Sequence, residues 1–456
     1  MTVPDRALPP QAPRPVRDDL EAEVVQLTSD LIRIDTSNPP GNETPAAELV
    51  AGYLGAAGIE TELAGPDPDR LNLIARIRGS GEGPSIMLMG HTDVVPAPTE
   101  NWTVNPFDAV LRDGHLVGRG AVDMKDELAA RAVAMAAFAR SGARPKGDIV
   151  LVAESDEERN VSDVGMSWLV RERPELKSDF ALNESGGSLL ELADGGRAVT
   201  VSVGEKLVTS LRIRVHGRAG HASVPDRDKN TLRAASTVVE RLFACEVPVI
   251  VSDSVRRSLD ALGAPDGSDA ERLDWMGRQH PGLADLVPAM TTTSITPTGL
   301  EAGEPANVIP PFADVICDCR ALPGSTEDDI RAQIAAAIGP ERASGAEIEY
   351  EVEFLEPLAG GVESPPDTEL YAILERYVEE RVPGAILLPL VTPGFTDSHW
   401  VRQAFGTVAY GFAPVLATDL DVYLDSMHGA DERIRTDDLV TMAEFHLFAL
   451  NALVGA

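Results

Sequence analysis

The chain has 456 residues, more than one ordinary hydrophobic core takes, so two domains are expected. Its 73 acidic residues against 39 basic ones leave a net charge of −34, which argues against nucleic acid or an anionic membrane as a partner. A hydrophobic content of 43% with 25% charged residues is that of a soluble globular protein, and no stretch is long and apolar enough to span a bilayer. The start, MTVPDRALPPQAPRPVRDD, lacks the apolar segment of a secretion signal. Three cysteines are too few for a disulfide framework, and a reducing, cytoplasmic setting is expected. Cys317 and Cys319 are two apart in ADVICDCRAL, so they share one strand face and read as core.

Residues 1–18 read as a flexible tail. Helical spacing runs from Leu20 to Ile34, and TSNPPGNE breaks it. TPAAELVAGYLGAAG is an amphipathic helix closed by Gly58. LNLIARIRG and PSIMLMGHTDVV follow as strands, then the alanine-rich helix DELAARAVAMAAFARSG, then the strand GDIVLVAESDEE. Strands apolar on both faces that alternate with helices indicate an α/β sheet covered on both sides. After Lys206 the pattern becomes strand, helix, strand, strand, helix, strand, which is a ferredoxin-like α+β unit. Residues 250–288 within it read as irregular, and Trp275 and His280 there receive no role. The expected organisation is a discontinuous α/β domain, 19–207 and 356–456, interrupted by an inserted domain at 208–355.

The stretch Leu151–Asn160, LVAESDEERN, poses the chemical question, because a buried-looking strand runs into Glu154, Asp156, Glu157 and Glu158. His91 and Asp93 end another strand on a shared face. Asp123 sits between a glycine-rich turn and a helix, where a cap is the plain explanation. Glu184 follows a short apolar run. All lie past the C-terminal ends of strands, where open α/β sheets bind ligands. Carboxylates converging there would repel one another strongly, and divalent cations would remove that cost. Histidine and carboxylate donors without cysteine suit zinc, with cobalt or manganese as alternatives.

GHTDVVP, GRGAVDMKDELAA, SDEE, NES and DSMHGADERI, in that order, resemble the M20 family of dinuclear metallopeptidases over nearly the whole chain. That family includes aminoacylases, carboxypeptidases, dipeptidases and acetylornithine or succinyl-diaminopimelate deacylases. The resemblance implies a zinc-peptidase-like α/β catalytic domain with an inserted lid or dimerisation domain. It implies two metals bridged by Asp123, with His91 and Glu184 completing one site and Glu158 and His428 the other. Asp93 would orient His91. Glu157 would be the general base, taking a proton from a water between the metals. Those two glutamates can divide these roles only if the loop turns between them, because in a regular strand they face opposite ways.

GRAGHASVPD resembles the family segment whose histidine, here His221, stabilises the oxyanion, often across a dimer interface. Asn307 and Arg320 match positions associated with substrate carbonyl and carboxylate recognition. TPGFTDSHW resembles the family's Gly-Gly-Thr-Asp turn, with Gly394 and Thr396 as donors to substrate. Two departures stand out: Asp126 and Phe395 each occupy a position where the family usually has glycine, and the second is expected to narrow or reshape the carboxylate pocket and with it the substrate specificity. The expected activity is hydrolysis of the amide bond of a peptide or N-acyl amino acid bearing a free carboxylate. A biosynthetic deacylase is the alternative. A binding protein on the same scaffold is the third reading, and the retained ligands and Glu157 speak against it.

Overall fold

The computed structural model of the protein describes residues 17–160, 162–225, 230–303, 305–342, 347–418 and 420–455. The tail expected at 1–18 lies outside these residues except for Arg17 and Asp18, which open the helix Arg17–Ile32.

A large mixed sheet organises the chain. Its strands follow one another as Glu60–Ala64, Asn72–Ile77, Ile149–Glu154, Ile86–His91, Phe180–Asn183, Val408–Gly411, Arg197–Glu205 and Ile386–Thr392, with Leu189–Glu191 paired to Arg197–Glu205 off that path. Ile149–Glu154, Ile86–His91 and Phe180–Asn183 run parallel, so their C-terminal ends open on one side. Every residue of the first two is buried. The period-two alternation explains how. Ile86, Leu88 and Leu151 enter the core beneath the helices Lys125–Arg140 and Thr436–Leu453, while Met87, Met89 and Val152 meet Met166, Leu169 and Val401 on the opposite face. Each such side chain contributes about 1.5–3 kcal/mol by leaving water.

Lys125–Arg140 is enclosed along nearly its whole length, between the sheet and the two helices Arg17–Ile32 and Thr436–Leu453. Its alanines permit that close approach. The strand beneath contributes too: a Cβ added at Gly90 would stand 3.3 Å from the Leu128 side chain.

The second sheet orders as Ser294–Glu301, Phe312–Ala321, Leu207–His216 and Glu349–Phe354, all antiparallel. With Thr231–Ala244 and Glu327–Ile338 packed on one face, this is the ferredoxin-like arrangement expected. Both helices start as their sequences dictate: the Asn230 side chain accepts from the Leu232 and Arg233 N–H groups, and Thr326 forms a capping box with Asp329. Cys317 and Cys319 face this core as free thiols, and burial pushes each up to about 12.

The stretch read as irregular instead forms three short helices, Asp253–Ala261, Asp269–Gly277 and Pro281–Thr291. They do not cover the inserted sheet. Val255, Leu259, Leu283, Val287 and Met290 pack against Leu388, Leu390 and Val391 of the large sheet's last strand. Their start signals stood in the sequence, the Ser252 cap, the Ser268–Glu271 capping box and Pro281 after His280, and packing on an existing apolar strand stabilises helices this short. Among the described residues no helix is long and apolar enough to cross a membrane.

Candidate metal centre

The parallel strands deliver the site. His91 is the last residue of its strand, and its imidazole is fully buried. Glu157 and Glu158 lie beyond Ile149–Glu154, and Glu184 beyond Phe180–Asn183. Asp123 precedes the helix Lys125–Arg140 but does not cap it. Its carboxylate instead lies between two histidines, Oδ1 at 3.0 Å from His91 Nε2 and Oδ2 at 3.0 Å from His428 Nε2. Glu184 Oε2 is 3.8 Å from His91 Nε2, and Glu158 Oε2 is 3.2 Å from His428 Nε2. Two ligand groups result, His91–Asp123–Glu184 and Asp123–Glu158–His428, the donor atoms of each lying within 4.8 Å of one another. Glu157 belongs to neither, with Oε2 3.9 Å from His91 Nε2.

A turn at Asp156, with φ of 65°, takes the chain out of strand geometry. The N–H groups of Glu157 and Glu158 can therefore both donate to Asp93, at 3.2 Å each. Asp93 is in turn fixed by Asn38, whose Nδ2 donates at 2.9 Å to Asp93 and at 2.9 Å to Asp156. Arg70 closes the buried network through Glu43 and, at 3.0 Å, Asp156. His91 Nδ1 faces the Asp93 backbone oxygen at 2.9 Å and its carboxylate at 3.5 Å, which leaves Nε2 toward the centre.

The electrostatics reflect crowding. Burial, then the Glu184 charge, hold Glu157 well above the usual carboxylate range. Burial also raises Glu158, against a hydrogen bond from His428. Hydrogen bonds donated to Asp123 and Glu158 push His428 up to about 10. Burial opposes the charge on Asp123, yet hydrogen bonds from His428 and His91 outweigh it and hold Asp123 well below its ordinary value. The buried Glu184 Oε1 has no hydrogen-bond partner. Orphaned carboxylate oxygen and clustered negative charge fit a pair of divalent cations, and the nitrogen and oxygen donors suit zinc, cobalt or manganese alike.

Arg119, Glu432 and Asp397 were not singled out from sequence, and Glu154 was noted only as one of four carboxylates at a strand end. Glu432 accepts the N–H groups of Gly120 at 3.1 Å, Val122 at 2.7 Å and Asp123 at 3.1 Å, and pairs with Arg119 at 2.5 Å. Asp397 is buried with Oδ2 unpartnered, and burial, then Glu154, raises it well above the usual range. Glu154 accepts the Gly90 N–H at 3.1 Å, and burial pushes it up to about 8. Glu432 stands in DSMHGADERI and Asp397 in TPGFTDSHW, so the quoted motifs contained both.

The remaining sequence-expected residues lie elsewhere. His221 is exposed in a short ladder with Val308, and its Nδ1 is engaged by Ser223 at 2.7 Å. Asn307 is exposed nearby, and its carbonyl accepts the Ala222 N–H at 2.9 Å. Arg320 is paired to Asp318 at 2.9 Å on the inserted sheet. None of the contacts described for these three reaches the ligand groups. Gly394 is half-buried after the strand Ile386–Thr392. Thr396 is buried and donates at 3.2 Å to Glu205, itself paired to Arg402 at 2.5 Å.

An α/β sheet with a carboxylate-bridged, two-histidine centre and an inserted ferredoxin-like unit defines a class of metal-dependent hydrolases. The family model described as peptidase family M20/M25/M40 matches residues 87–452, and the chain belongs to that family. A succinyl-diaminopimelate desuccinylase of Thioalkalivibrio sulfidiphilus is 27% identical over 95% of this chain and 99% of its own. An N-fatty-acyl-amino acid synthase/hydrolase of Xenopus tropicalis is 27% identical over 79% and 71%. The fold is shared with an M20 family metallo-carboxypeptidase from Sulfolobus solfataricus, at a TM-score of 0.70 and 15% identity over 94% of this chain and 99% of that one. The protein is thus a hydrolase.

Proposed function

We propose that this enzyme hydrolyses the amide bond of a peptide or N-acyl amino acid bearing a free carboxylate. The carrying observation is Asp123, held 3.0 Å from each of two histidines, with the half-buried Glu157 3.9 Å from His91 yet in neither ligand group. His91, Asp123 and Glu184 hold one divalent cation, and Asp123, Glu158 and His428 the other, with zinc the first choice and cobalt or manganese next. Bound there, the ions supply Lewis acidity to the scissile carbonyl and to the attacking water. Glu157 holds the transferred proton and passes it to the leaving nitrogen. Asp93 orients His91 and, through two backbone N–H groups, the loop that presents Glu157 and Glu158.

The division into 19–207 with 356–456, and 208–355, is part of the same reading. It assigns the ligands to the first unit and makes the second a lid, whose closure brings His221, Asn307 and Arg320 to the substrate. Arg320 then exchanges Asp318 for the substrate carboxylate, for which its planar fork is suited. Gly394 and Thr396 line the facing turn. A homodimer through the inserted unit is supported by its exposed Val224, Leu300, Val308 and Phe312, and light scattering tests it. Free thiols fit a cytoplasmic enzyme.

The full-length similarity to a desuccinylase favours one second reading, a deacylase of an N-succinyl or N-acetyl diamino acid. Dipeptides assayed beside N-acetyl, N-succinyl and long-chain N-acyl amino acids, with zinc or cobalt supplied, separate the two. A chain that binds two cations yet hydrolyses none of these overturns both and makes it a binding protein.

A further inference from the structure

The two ligand groups are not held alike. His91 is fully buried on a central strand, and Glu184 follows the neighbouring strand. His428 has its side chain 50% exposed, on a loop where its own φ is 59° and that of Asp431 is 53°. Met427 anchors the preceding residue on the core, and the buried pair Arg119–Glu432 sets how the loop then presents its imidazole to Asp123. Four donors converge on the Glu432 carboxylate: the N–H groups of Gly120, Val122 and Asp123, and Arg119 Nη1. Arg119 Nη2 points the other way, donating to the carbonyls of His428 at 3.1 Å and Gly429 at 3.2 Å. The Trp102 ring lies 5.3 Å from its guanidinium carbon. One ion pair, between residues 313 apart, thus grips the backbone of both Asp123 and His428.

We infer that Arg119 and Glu432 are positioning residues for the Asp123–Glu158–His428 cation, and that this group, not the His91 group, depends on them. The His91 group keeps two ligands on strand ends when the clamp is lost, whereas the His428 group loses both Arg119 hydrogen bonds to the backbone at its histidine. Lysine at 119 keeps charge but cannot reach in two directions as a planar guanidinium does.

This rests on the two-cation reading, and cobalt titration of the metal-free protein tests the two separately. Wild type, Arg119→Lys, Arg119→Met, Glu432→Gln and Arg402→Lys are titrated by absorbance and equilibrium dialysis, with circular dichroism as a folding check. Arg402→Lys perturbs a buried pair that touches no ligand. Wild type and Arg402→Lys are expected to bind two equivalents. The Arg119 and Glu432 variants are expected to bind one equivalent at wild-type affinity and the second about 10–100-fold more weakly, least so for Arg119→Lys. If Arg119→Met does not fold, Arg119→Lys and Glu432→Gln carry the comparison. Equal weakening of both equivalents, or of neither, or the same selective loss in Arg402→Lys, overturns the inference alone. A wild type that binds a single equivalent overturns the two-cation reading and this inference with it.

Discussion

In the large sheet, every residue of Ile86–His91 and Ile149–Glu154 is buried, whereas Leu207–His216 in the inserted sheet alternates buried and half-buried positions. The large sheet is covered on both faces, so polar chemistry can leave it only at strand ends, and there His91, Glu157, Glu158 and Glu184 collect. The inserted sheet keeps one face open and carries Arg212, Arg214 and Arg320 on it. One sheet concentrates negative charge in a dry corner. The other spreads ion pairs over a broad surface, with Arg212 and Arg214 against Asp314 and Arg320 against Asp318. On the proposed reading the substrate's amide bond meets the first and its carboxylate meets Arg320 on the second, which requires the two units to close on it.

The largest effect expected is at the dry corner. Glu157→Ala should lower kcat by about 10²–10⁴-fold while metal content, measured by elemental analysis, stays at the wild-type level. Full turnover in that variant would move the proton-transfer role elsewhere. Next comes the buried pair behind the Thr396 turn. Glu205→Ala strands the Arg402 guanidinium and should cost about 3–5 kcal/mol in urea denaturation, far more than removing Asp318 from the half-exposed Arg320. The third concerns pH. Burial holds the His399 imidazole down to about 4, below its ordinary 6.5. The unfolded chain therefore takes a proton near pH 6.5 that the folded chain refuses until about 4. The stability from this residue is present above pH 6.5, declines through the interval and is lost by about 4, some ~3 kcal/mol in all. Urea midpoints of wild type and His399→Asn at pH 7 and 4.5 should converge if this is right.

On the inserted sheet effects should be smaller and of a different kind. Arg320→Lys should raise KM by roughly tenfold, about 1.4 kcal/mol, with kcat little changed, because a uniform binding contact is weakened. Smallest is the thiol pattern. Ellman's reagent should find Cys245 in the native protein and reach Cys317 and Cys319 only on unfolding, since both are buried and held up to about 12.

What was legible in the sequence follows the same division. Strands apolar on both faces announce a covered sheet, and His91, Glu158 and Glu184, each bland alone, drew notice by gathering at strand ends, while their grouping came from the family resemblance. The left-handed turn at Asp156 was anticipated only as a requirement, since an aspartate adopts or declines that conformation according to partners such as Asn38 and Arg70. Arg119 and Glu432 stand inside quoted motifs, yet each reads as an ordinary charge until the fold joins them. The short helices between 253 and 291 escaped for another reason: their stability is borrowed from the strand Ile386–Thr392, which lies about a hundred residues further on.

That interleaving has a consequence for how the chain is made. Val408–Gly411 pairs with both Phe180–Asn183 and Arg197–Glu205, so the early strands cannot complete their sheet before the late one has been synthesised. His428 leaves the ribosome later still, and helix Thr436–Leu453, which roofs Lys125–Arg140, last of all. The second ligand group therefore assembles only at the end of biosynthesis, because His428 is the last of its residues to emerge.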